Sequence, residues 1–433
     1  MIGAARALGL AVKPLFPDAS VHAPMTAAAA ALQNPELAAI ECEQSRYYVT
    51  RVETDAQAQQ AADQLKSVAG VSKVYVKPAV ESPLAPQCAK PTAPATIPDY
   101  LAQQGYLDAA PMGVGARNFA WLRPGGRGAN VRFVDIVGGW TLDHVELRGG
   151  GGLIGGQQFT SSDWTSHGTA VLGFVRAAVN GFGVTEIAPE ASFSAISHHR
   201  LGSAGAIDLG ASSFGPGDIM LLEMHRPGPR FGFQTRDDQQ GYIAVEGWPD
   251  DFLAIRRAVI RGLIVVEAAG NGAQDLDDPL YDTADPSFPE TWKNPFRGAV
   301  DSGAIVVGAG APPGGLFGAD RSRLEFSDFG SRIDCQGWGI RGPLWGHGRR
   351  VSHRRLYRHI QRDFKRLADG DRRRHLSSRR RSTARQSARP LQGARSSTGD
   401  RQSTNGWSCR RNRERIGSRP HLAALIASIT PSV

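Results

Sequence analysis

The sequence predicts an α/β protein whose core is a doubly wound, mostly parallel β-sheet. Apolar, strand-like runs alternate with helical segments through the middle of the 433-residue chain, which is typical of parallel sheets covered by helices on both faces. A chain of this length can bury a large core and a smaller second domain. No apolar run approaches the roughly 20 residues that a membrane-spanning helix needs, so no such helix is predicted.

The N-terminal region, residues 1–82, is expected to hold a small α+β module over about residues 46–78. Its pattern is that of a strand, an amphipathic helix and a second strand. These segments are residues 46–52, 55–69 and 71–76. The opening residues lack the charged n-region and long apolar h-region of a signal peptide, so none is predicted.

A Pro/Ala-rich linker at residues 83–97 separates this region from the central one, residues 98–339. The central region carries the strand and helix alternation on which the fold prediction rests. The expected strands are residues 130–137, 191–197, 217–224 and 262–268, and the expected helices start at His167, running to about Val179, and at Asp250, running to Arg261.

Three polar residues stand where such strands and helices begin or end. Asp135 lies near the carboxyl end of a buried strand, which is the edge where open parallel sheets place their chemistry. His167 follows 32 residues later, at the expected start of a helix, and a carboxylate can fix the tautomer of an imidazole and stabilise its charged form. Asn271, flanked by glycines after another strand, is a candidate donor to an oxyanion.

These segments resemble the subtilisin-like serine proteases. The matching motifs, in chain order, are Val134-Asp135-Ile136, His167-Gly168-Thr169-Ala170, Gly183-Val184 with Ile187-Ala188-Pro189, and Ala268-Ala269-Gly270-Asn271. The resemblance implies a subtilisin-like fold and serine endopeptidase activity on protein or peptide substrates. It also implies the roles: Asp135 orients His167, His167 is the general base, and Asn271 stabilises the oxyanion.

The resemblance has two further implications. An N-terminal module of this kind often acts as a folding chaperone and inhibitor in that family, although a plain appended domain fits the pattern equally well. Family members are often exported, but no signal peptide is predicted here, so the sequence assigns no compartment and no oligomeric state.

The nucleophilic serine, which this family carries in a Gly-Thr-Ser-x-Ala motif, is absent. The likeness continues through residues 325–339 and stops where an arginine-dense segment, residues 340–415, begins. This segment has 22 arginines and a net charge of +18, so the rest of the chain carries −9. Its composition predicts disorder rather than a buried helix.

The genetic code offers an explanation. Residues 357–370 can be encoded so that reading one nucleotide later gives Thr-Gly-Thr-Phe-Ser-Gly-Thr-Ser-Ser-Ala-Ser-Pro-Met, which contains the family motif. The serine codon would straddle Phe364 and Lys365. We therefore expect a frameshift over residues 340–415, after which residues 416–433 resemble the C-terminal helix of the peptidase domain. The chain as printed is expected to be inactive.

Two alternatives stay open at this point. A protein that keeps the cleft without the chemistry would be a non-catalytic, peptide-binding pseudoprotease. A native arginine-rich arm would instead bind nucleic acid through phosphate contacts. The nearly exclusive use of arginine over lysine, and the position of the segment inside a catalytic domain, count against the arm.

Other polar features have weaker interpretations. Glu223 and Glu267 depart from the family pattern, and each either lines the cleft or belongs to a structural ion pair. No cofactor or metal is predicted, and calcium is left open because an acidic loop matches no defined motif; its members are Asp275, Asp277, Asp278, Asp282 and Asp285. The four cysteines lack metal-type spacing and are expected to be thiols; they are Cys42, Cys88, Cys335 and Cys409.

Overall fold

The computed structural model describes residues 2–17, 34–82, 104–109, 114–297, 300–312 and 317–339. The helices are α1 (Ile2–Ala7), α2 (Pro35–Gln44), α3 (Asp55–Lys66), α4 (Ser162–Arg176), α5 (Ser203–Ser213) and α6 (Pro249–Ile260). The strands are β1 (Lys13–Pro14), β2 (Tyr48–Val49), β3 (Arg132–Val137), β4 (Gly151–Gly155), β5 (Ser192–Ser197), β6 (Ile219–Leu222), β7 (His225–Pro227), β8 (Tyr242–Ala244), β9 (Ile264–Ala268), β10 (Ile305–Gly310) and β11 (Cys335–Trp338).

Seven of these strands form one parallel sheet in the order β11-β10-β9-β6-β3-β5-β4. The α/β prediction is therefore confirmed. The predicted strands appear as β3, β5, β6 and β9, slightly shorter than expected, and the helix predicted from Asp250 appears as α6. The linker 83–97, the arginine-dense segment 340–415 and the helix 416–433 lie outside the described residues.

The central strand β3 separates two hydrophobic layers. Phe133 and Val137 pack in a cluster with Val171 and Val175 of α4. Val134 and Ile136, whose side chains point to the other face, pack in a second cluster with residues of α5 and α6. Because side chains alternate along a strand, Asp135 shares the parity of Phe133 and points to the face that α4 covers.

The start of α4 differs from the sequence prediction. The helix begins at Ser162, so His167 lies in its second turn, and the expectation that His167 marks the helix start is wrong. Asp163 in the first turn suits the positive end of the helix dipole. The helix ends at Arg176, three residues before the expected Val179.

The N-terminal module matches the prediction in part. The expected strand and helix are present as β2 and α3, and Thr54 and Gln57 form a capping box at the start of α3. The predicted second strand at residues 71–76 is wrong, since residues 71–80 carry no strand. Instead β2 pairs antiparallel with β1, at the start of the chain.

Side chains of the expected second strand and of the residue that follows it, Lys77, bind the central region instead. The Tyr75 hydroxyl lies 3.1 Å from Asp250 Oδ1, and Lys77 Nζ lies 2.5 Å from Asp250 Oδ2 and 2.8 Å from Asp251 Oδ2. Phe16 and Val80 join the hydrophobic cluster beneath α5 and α6. The N-terminal module is thus packed on the helices of the central sheet.

Among the described helices, none is long and apolar enough to cross a membrane.

A buried ion pair lies below α6, on the face of the sheet opposite α4. Arg332 Nε and Nη2 donate to Glu246 at 2.7 and 3.0 Å, and Ser302 Oγ also donates to the Glu246 carboxylate. Burial raises the pKa of Glu246, and Arg332 opposes that rise. Arg332 therefore compensates the charge of a carboxylate that has no exposure to solvent.

Replacing Arg332 with methionine should lower the free energy of unfolding by about 3–5 kcal/mol, because Glu246 would stay buried without its cation. A matched control is Lys66→Met, whose pair with Asp63 is more than half exposed and should cost no more than about 1 kcal/mol. Urea unfolding at pH 7 measures both. Equal losses in the two variants would contradict a structural role for the buried pair.

Candidate active site

Asp135 is fully buried near the carboxyl end of β3. Its Oδ2 accepts a 2.7 Å hydrogen bond from Trp140 Nε1, and its Oδ1 has no hydrogen-bond partner among the described residues. Burial raises the pKa of Asp135 to about 7, and the bond from Trp140 opposes that rise. The carboxyl group therefore changes its charge near neutral pH.

His167 is also buried, with 3% of its surface exposed. Its Nε2 lies 3.2 Å from the carbonyl oxygen of Glu223, so the proton of a neutral ring belongs on Nε2. Its Nδ1 has no hydrogen-bond partner in the described part of the chain. Burial lowers the pKa of His167 to about 4, so the imidazole is neutral above that pH.

No hydrogen bond joins Asp135 to His167 in the structure. Both residues belong to the same side of the sheet, Asp135 on β3 and His167 on the helix that covers it. In an Asp–His pair the ring carries its proton on Nδ1, facing the carboxylate. The two unpartnered atoms, Asp135 Oδ1 and His167 Nδ1, are the atoms that such a pair would join.

Gly168 allows α4 to approach the loop that follows β3. A Cβ at this position would lie 2.3 Å from the carbonyl oxygen of Gly139 and 2.7 Å from the ring of Trp140. Thr169 fixes the same contact, because its Oγ1 accepts a 2.8 Å hydrogen bond from the backbone N–H of Thr141. The motif after His167 therefore determines how closely the helix approaches the strand that carries Asp135.

Asn271 follows β9 at the same edge of the sheet and is half-buried. Its backbone N–H donates to Nδ1 of His225, 3.2 Å away. Gly270 adopts a positive φ of 112°, and a Cβ on Gly272 would lie within 2.3 Å of the backbone of Tyr242. The flanking glycines are needed because the β7–β8 hairpin packs directly on this turn.

Glu223, which directly follows β6, is fully buried and neither of its carboxylate oxygens has a hydrogen-bond partner among the described residues. The ion-pair interpretation of Glu223 is therefore not observed there. Burial raises its pKa well above the usual value, and Asp135 adds to the rise. His225, two residues later, is also buried and close enough for His167 to contribute to the lowering of its pKa, which falls to about 3 mainly through burial.

Glu267 belongs to the other side of the sheet. Its Oε1 accepts a 2.9 Å hydrogen bond from the backbone N–H of Glu246, and it lies close to the Glu246–Arg332 ion pair, which affects its pKa. The cleft-lining interpretation of Glu267 is thus not observed. From the sequence, Glu223 and Glu267 had the same two interpretations. Their positions along β6 and β9 place them on opposite faces of the sheet.

The serines that precede the expected nucleophile are engaged elsewhere. Ser327 is buried, its Oγ accepts from Ala309 N at 2.8 Å and donates to the carbonyl of Asp328. Ser213 Oγ donates to the carbonyl of Leu209, within α5. The place expected for the nucleophile, near Phe364 and Lys365, lies outside the described residues.

The carboxylates of the acidic loop bind other groups of the same chain. Each accepts a backbone hydrogen bond, pairs with an arginine, or does both; the contacts are Asp275 with Asp277 N, Asp277 with Ser331 N, Asp278 with Leu280 N and Arg230, Asp282 with Arg297, and Asp285 with Ser287 N. Within the described ranges, no group of three or more metal-type side chains is present. The prediction that no metal or cofactor is bound stays untested, and calcium stays open. Cys42 and Cys335 form no disulfide, and Cys88 and Cys409 fall outside those ranges.

A segment of the chain itself lies along β7. The backbone N–H of Glu81 donates to the carbonyl of His225 at 3.1 Å, in an antiparallel bridge. The Glu81 carboxylate accepts hydrogen bonds from Tyr242 at 2.8 Å and from Gln239 at 3.2 Å. Glu81 thus pairs with the β7 residue that also contacts Asn271.

The contact at Gly168 can be tested by Gly168→Ala, which should lower the free energy of unfolding by about 1–3 kcal/mol because the added methyl meets backbone and a buried ring. Gly152→Ala is the matched control, since nothing lies within 4 Å of its added Cβ, and it should change stability by no more than about 1 kcal/mol. Chemical denaturation measures both. A Gly168→Ala variant as stable as Gly152→Ala would refute the close approach.

The burial of His167 predicts a pH effect on stability. The folded state keeps the ring neutral down to about pH 4, whereas the unfolded chain binds a proton below about pH 6.5. The free energy of unfolding therefore falls as the pH drops from 6.5 to 4, by up to about 1.4 kcal/mol per pH unit from this residue. His167→Gln should remove that component in denaturation series at several pH values, and an unchanged pH dependence would contradict the burial.

Comparison with known proteins agrees with the motifs. The chain is 30% identical to subtilisin DY of Bacillus licheniformis over 222 residues, which are 50% of this chain and 67% of that protein. It is 26% identical to subtilisin E of Bacillus subtilis (strain 168) over 250 residues, 56% of this chain and 55% of that protein. No family model matches.

Among solved structures, a protease from Pseudoalteromonas arctica PAMC 21717 is similar with a TM-score of 0.37 and 19% identity, over 57% of this chain and 73% of that one. The match covers 67% of subtilisin DY and 55% of subtilisin E. The activity of the whole protein therefore does not follow from these relatives alone. The match to subtilisin DY and the parallel α/β sheet establish the family. The chain belongs to the subtilisin-like serine proteases.

Proposed function

We propose that this protein derives from a serine endopeptidase in which Asp135, His167 and Asn271 serve the reaction and the nucleophilic serine is encoded in another reading frame. The observation that carries the proposal is the burial of Asp135 and His167 on one side of the sheet, with Asp135 Oδ1 and His167 Nδ1 both lacking partners. Buried polar atoms without partners are uncommon and call for an explanation. An Asp–His pair provides one.

In this mechanism the serine hydroxyl attacks the carbonyl carbon of the scissile peptide while His167 Nε2 takes the hydroxyl proton. Asp135 accepts the Nδ1 hydrogen bond and stabilises the imidazolium that forms. Asn271 and a backbone N–H stabilise the oxyanion of the tetrahedral intermediate. His167 then protonates the leaving amine, and water repeats the sequence to release the acyl group.

Two features of the site support a peptide substrate. The antiparallel bridge between Glu81 and His225 is the kind of contact that an extended peptide would make in place of Glu81, since main-chain hydrogen bonds to the edge of a strand are a general mode of peptide binding. Asn271 follows β9 and contacts the same His225 through its backbone N–H. A peptide bound along β7 would therefore run past the proposed oxyanion donor.

A non-catalytic, peptide-binding protein is the second candidate. It is favoured by the Nε2 contact of His167 with the Glu223 carbonyl, because a ring with its proton on Nε2 cannot accept a proton there. A serine hydroxyl at Nε2 would compete with that carbonyl contact. The presence or absence of the nucleophile thus decides between the two candidates.

The reading-frame hypothesis is tested by sequencing the DNA that encodes residues 340–415. We expect a one-base discrepancy near each end of this segment if the printed sequence contains errors. A clean read would exclude a sequencing error and leave a mutation in the gene as the remaining form of the hypothesis.

The chemistry is tested with a serine-directed phosphonate on two purified proteins, the printed chain and the chain with residues 340–415 read in the shifted frame. The frame-restored protein should be labelled at one site per molecule, at the serine encoded across the codons of Phe364 and Lys365, and the printed chain should not be labelled. Frame-restored His167→Ala is the control and should lose labelling, since the hydroxyl is not activated without the base.

Absence of labelling in a folded, frame-restored protein would contradict the peptidase proposal. Retained binding of an unstructured peptide under those conditions would favour the non-catalytic candidate. Labelling of the printed chain would show that a serine other than the proposed one is the nucleophile.

A further inference from the structure

Asp135 and Glu223 lie on neighbouring strands and on the same side of the sheet. In the parallel pairing of β3 with β6, Asp135 is opposite Leu221, and Glu223 is two residues beyond Leu221. Because side chains alternate along a strand, Glu223 and Asp135 share the face that α4 covers. The carbonyl of Glu223 also contacts His167, which lies on the helix that covers this face.

Three carboxyl oxygens in this group lack hydrogen-bond partners among the described residues: both oxygens of Glu223 and Oδ1 of Asp135. The Glu223 side chain is fully buried, and no described cation forms a salt bridge with either carboxyl group. The charge of Asp135 acts on Glu223, and two ionised carboxylates in a buried site would repel each other. One proton shared between them removes the repulsion and satisfies two of the three oxygens.

We propose that Glu223 is a positioning residue of the site, a protonated carboxyl that donates its O–H to Asp135 Oδ1 and holds Asp135 in place for His167. This rests on the proposed function of Asp135 and His167. An ionised carboxylate oxygen has lone pairs for two donors, so Asp135 Oδ1 can accept from Glu223 and from the imidazole together. The Trp140 bond fixes the other oxygen of the same carboxylate.

The order of ionisation supports the assignment of donor and acceptor. The described titratable groups around Glu223 are Asp135 of β3, whose charge acts on it, His167 of α4, which contacts its carbonyl, and His225 of β7, two residues further along the chain. Burial keeps both imidazoles neutral above about pH 4, so neither stabilises a second negative charge. The pKa of Asp135 is raised to about 7, whereas that of Glu223 is raised well above its usual value and is raised further by Asp135. Asp135 therefore ionises first and Glu223 keeps its proton.

The test uses the indole N–H signal of Trp140, which donates to Asp135 and reports its ionisation. In the full printed chain, with tryptophan labelled at the indole nitrogen and the signal assigned by its loss in Trp140→Phe, the shift should titrate with a midpoint below about pH 7, because burial opposed by the Trp140 bond alone raises the pKa of Asp135 to about 7 and the Glu223 donor lowers it. Glu223→Leu removes the proposed donor and should raise the midpoint by about one pH unit. Glu223→Gln keeps an N–H donor of similar shape and should keep the midpoint close to that of the unchanged chain.

Glu267→Gln is the matched control, because Glu267 is a buried carboxyl on the next strand that belongs to the opposite face. It should leave the Trp140 midpoint in place whatever it does to stability. A lowered midpoint in Glu223→Leu would overturn the proposal, since it would mean that Glu223 is a repelling anion. A midpoint that moves no more than in Glu267→Gln would also overturn it, since Glu223 would then act on stability alone.

A second measurement covers the case in which Glu223→Leu does not fold. If buried Glu223 keeps its proton in the folded state, it ionises above about pH 4.3 only in the unfolded chain. This group alone then raises the unfolding equilibrium constant tenfold per pH unit. Glu223→Gln should lose that contribution, and an identical slope in the two proteins would contradict the assignment. Both measurements work without the nucleophile, so their outcome is separate from the phosphonate result.

Discussion

The close approach of α4 to the loop after β3 is the contact on which the site depends. It requires a residue without a Cβ at Gly168, and it brings His167 to the side of the sheet where Asp135 is buried. Exclusion of water there raises the pKa of the acid and lowers that of the base, because burial disfavours the charged form of each. In the folded protein both groups are therefore neutral between about pH 4 and pH 7. Free in water, an aspartate and a histidine would both be charged over most of that range.

The two sides of the sheet treat buried charge differently. Below α5 and α6 two buried acids are paired, Glu246 with Arg332 and Asp251 with Lys77 and Arg226, whereas Glu267 on that side keeps one oxygen without a partner among the described residues. Below α4, no described cation pairs with Asp135 or Glu223, and His167 Nδ1 has no hydrogen-bond partner in the described ranges. Paired charges stabilise one arrangement of the chain, whereas buried polar groups left without partners are typical of sites that have a function.

Much of the central sheet was predictable, because β3, β6 and β9 are runs of apolar residues buried on both faces. The glycine-rich β4 has no such pattern and is held by pairing with β5. The prediction of a second strand in the N-terminal module was wrong for a different reason. Residues 71–76 have the alternation of a strand, but Tyr75 and the following Lys77 contact Asp250 and Asp251 of α6, and no neighbouring strand pairs with them in the described part of the chain. Local periodicity does not contain that information.

The site was predictable in its residues and not in its contacts. Asp135, His167 and Asn271 were marked by motifs, and Glu223 was marked only as a departure from the family pattern. That His167 contacts the Glu223 carbonyl, and that Asn271 contacts His225, depends on strand register and on the hairpin that follows β6. A nucleophile in another reading frame is visible only in the codons.

The position of the proton on His167 tests the account most directly. Imidazole nitrogen NMR can locate it in the printed and in the frame-restored protein, with the signals assigned by their loss in His167→Gln. We expect the proton on Nε2 in the printed chain, where the Glu223 carbonyl accepts it, and on Nδ1 facing Asp135 in the frame-restored chain, where the serine hydroxyl occupies Nε2. The same tautomer in both proteins would contradict an Asp–His–Ser site built from these residues.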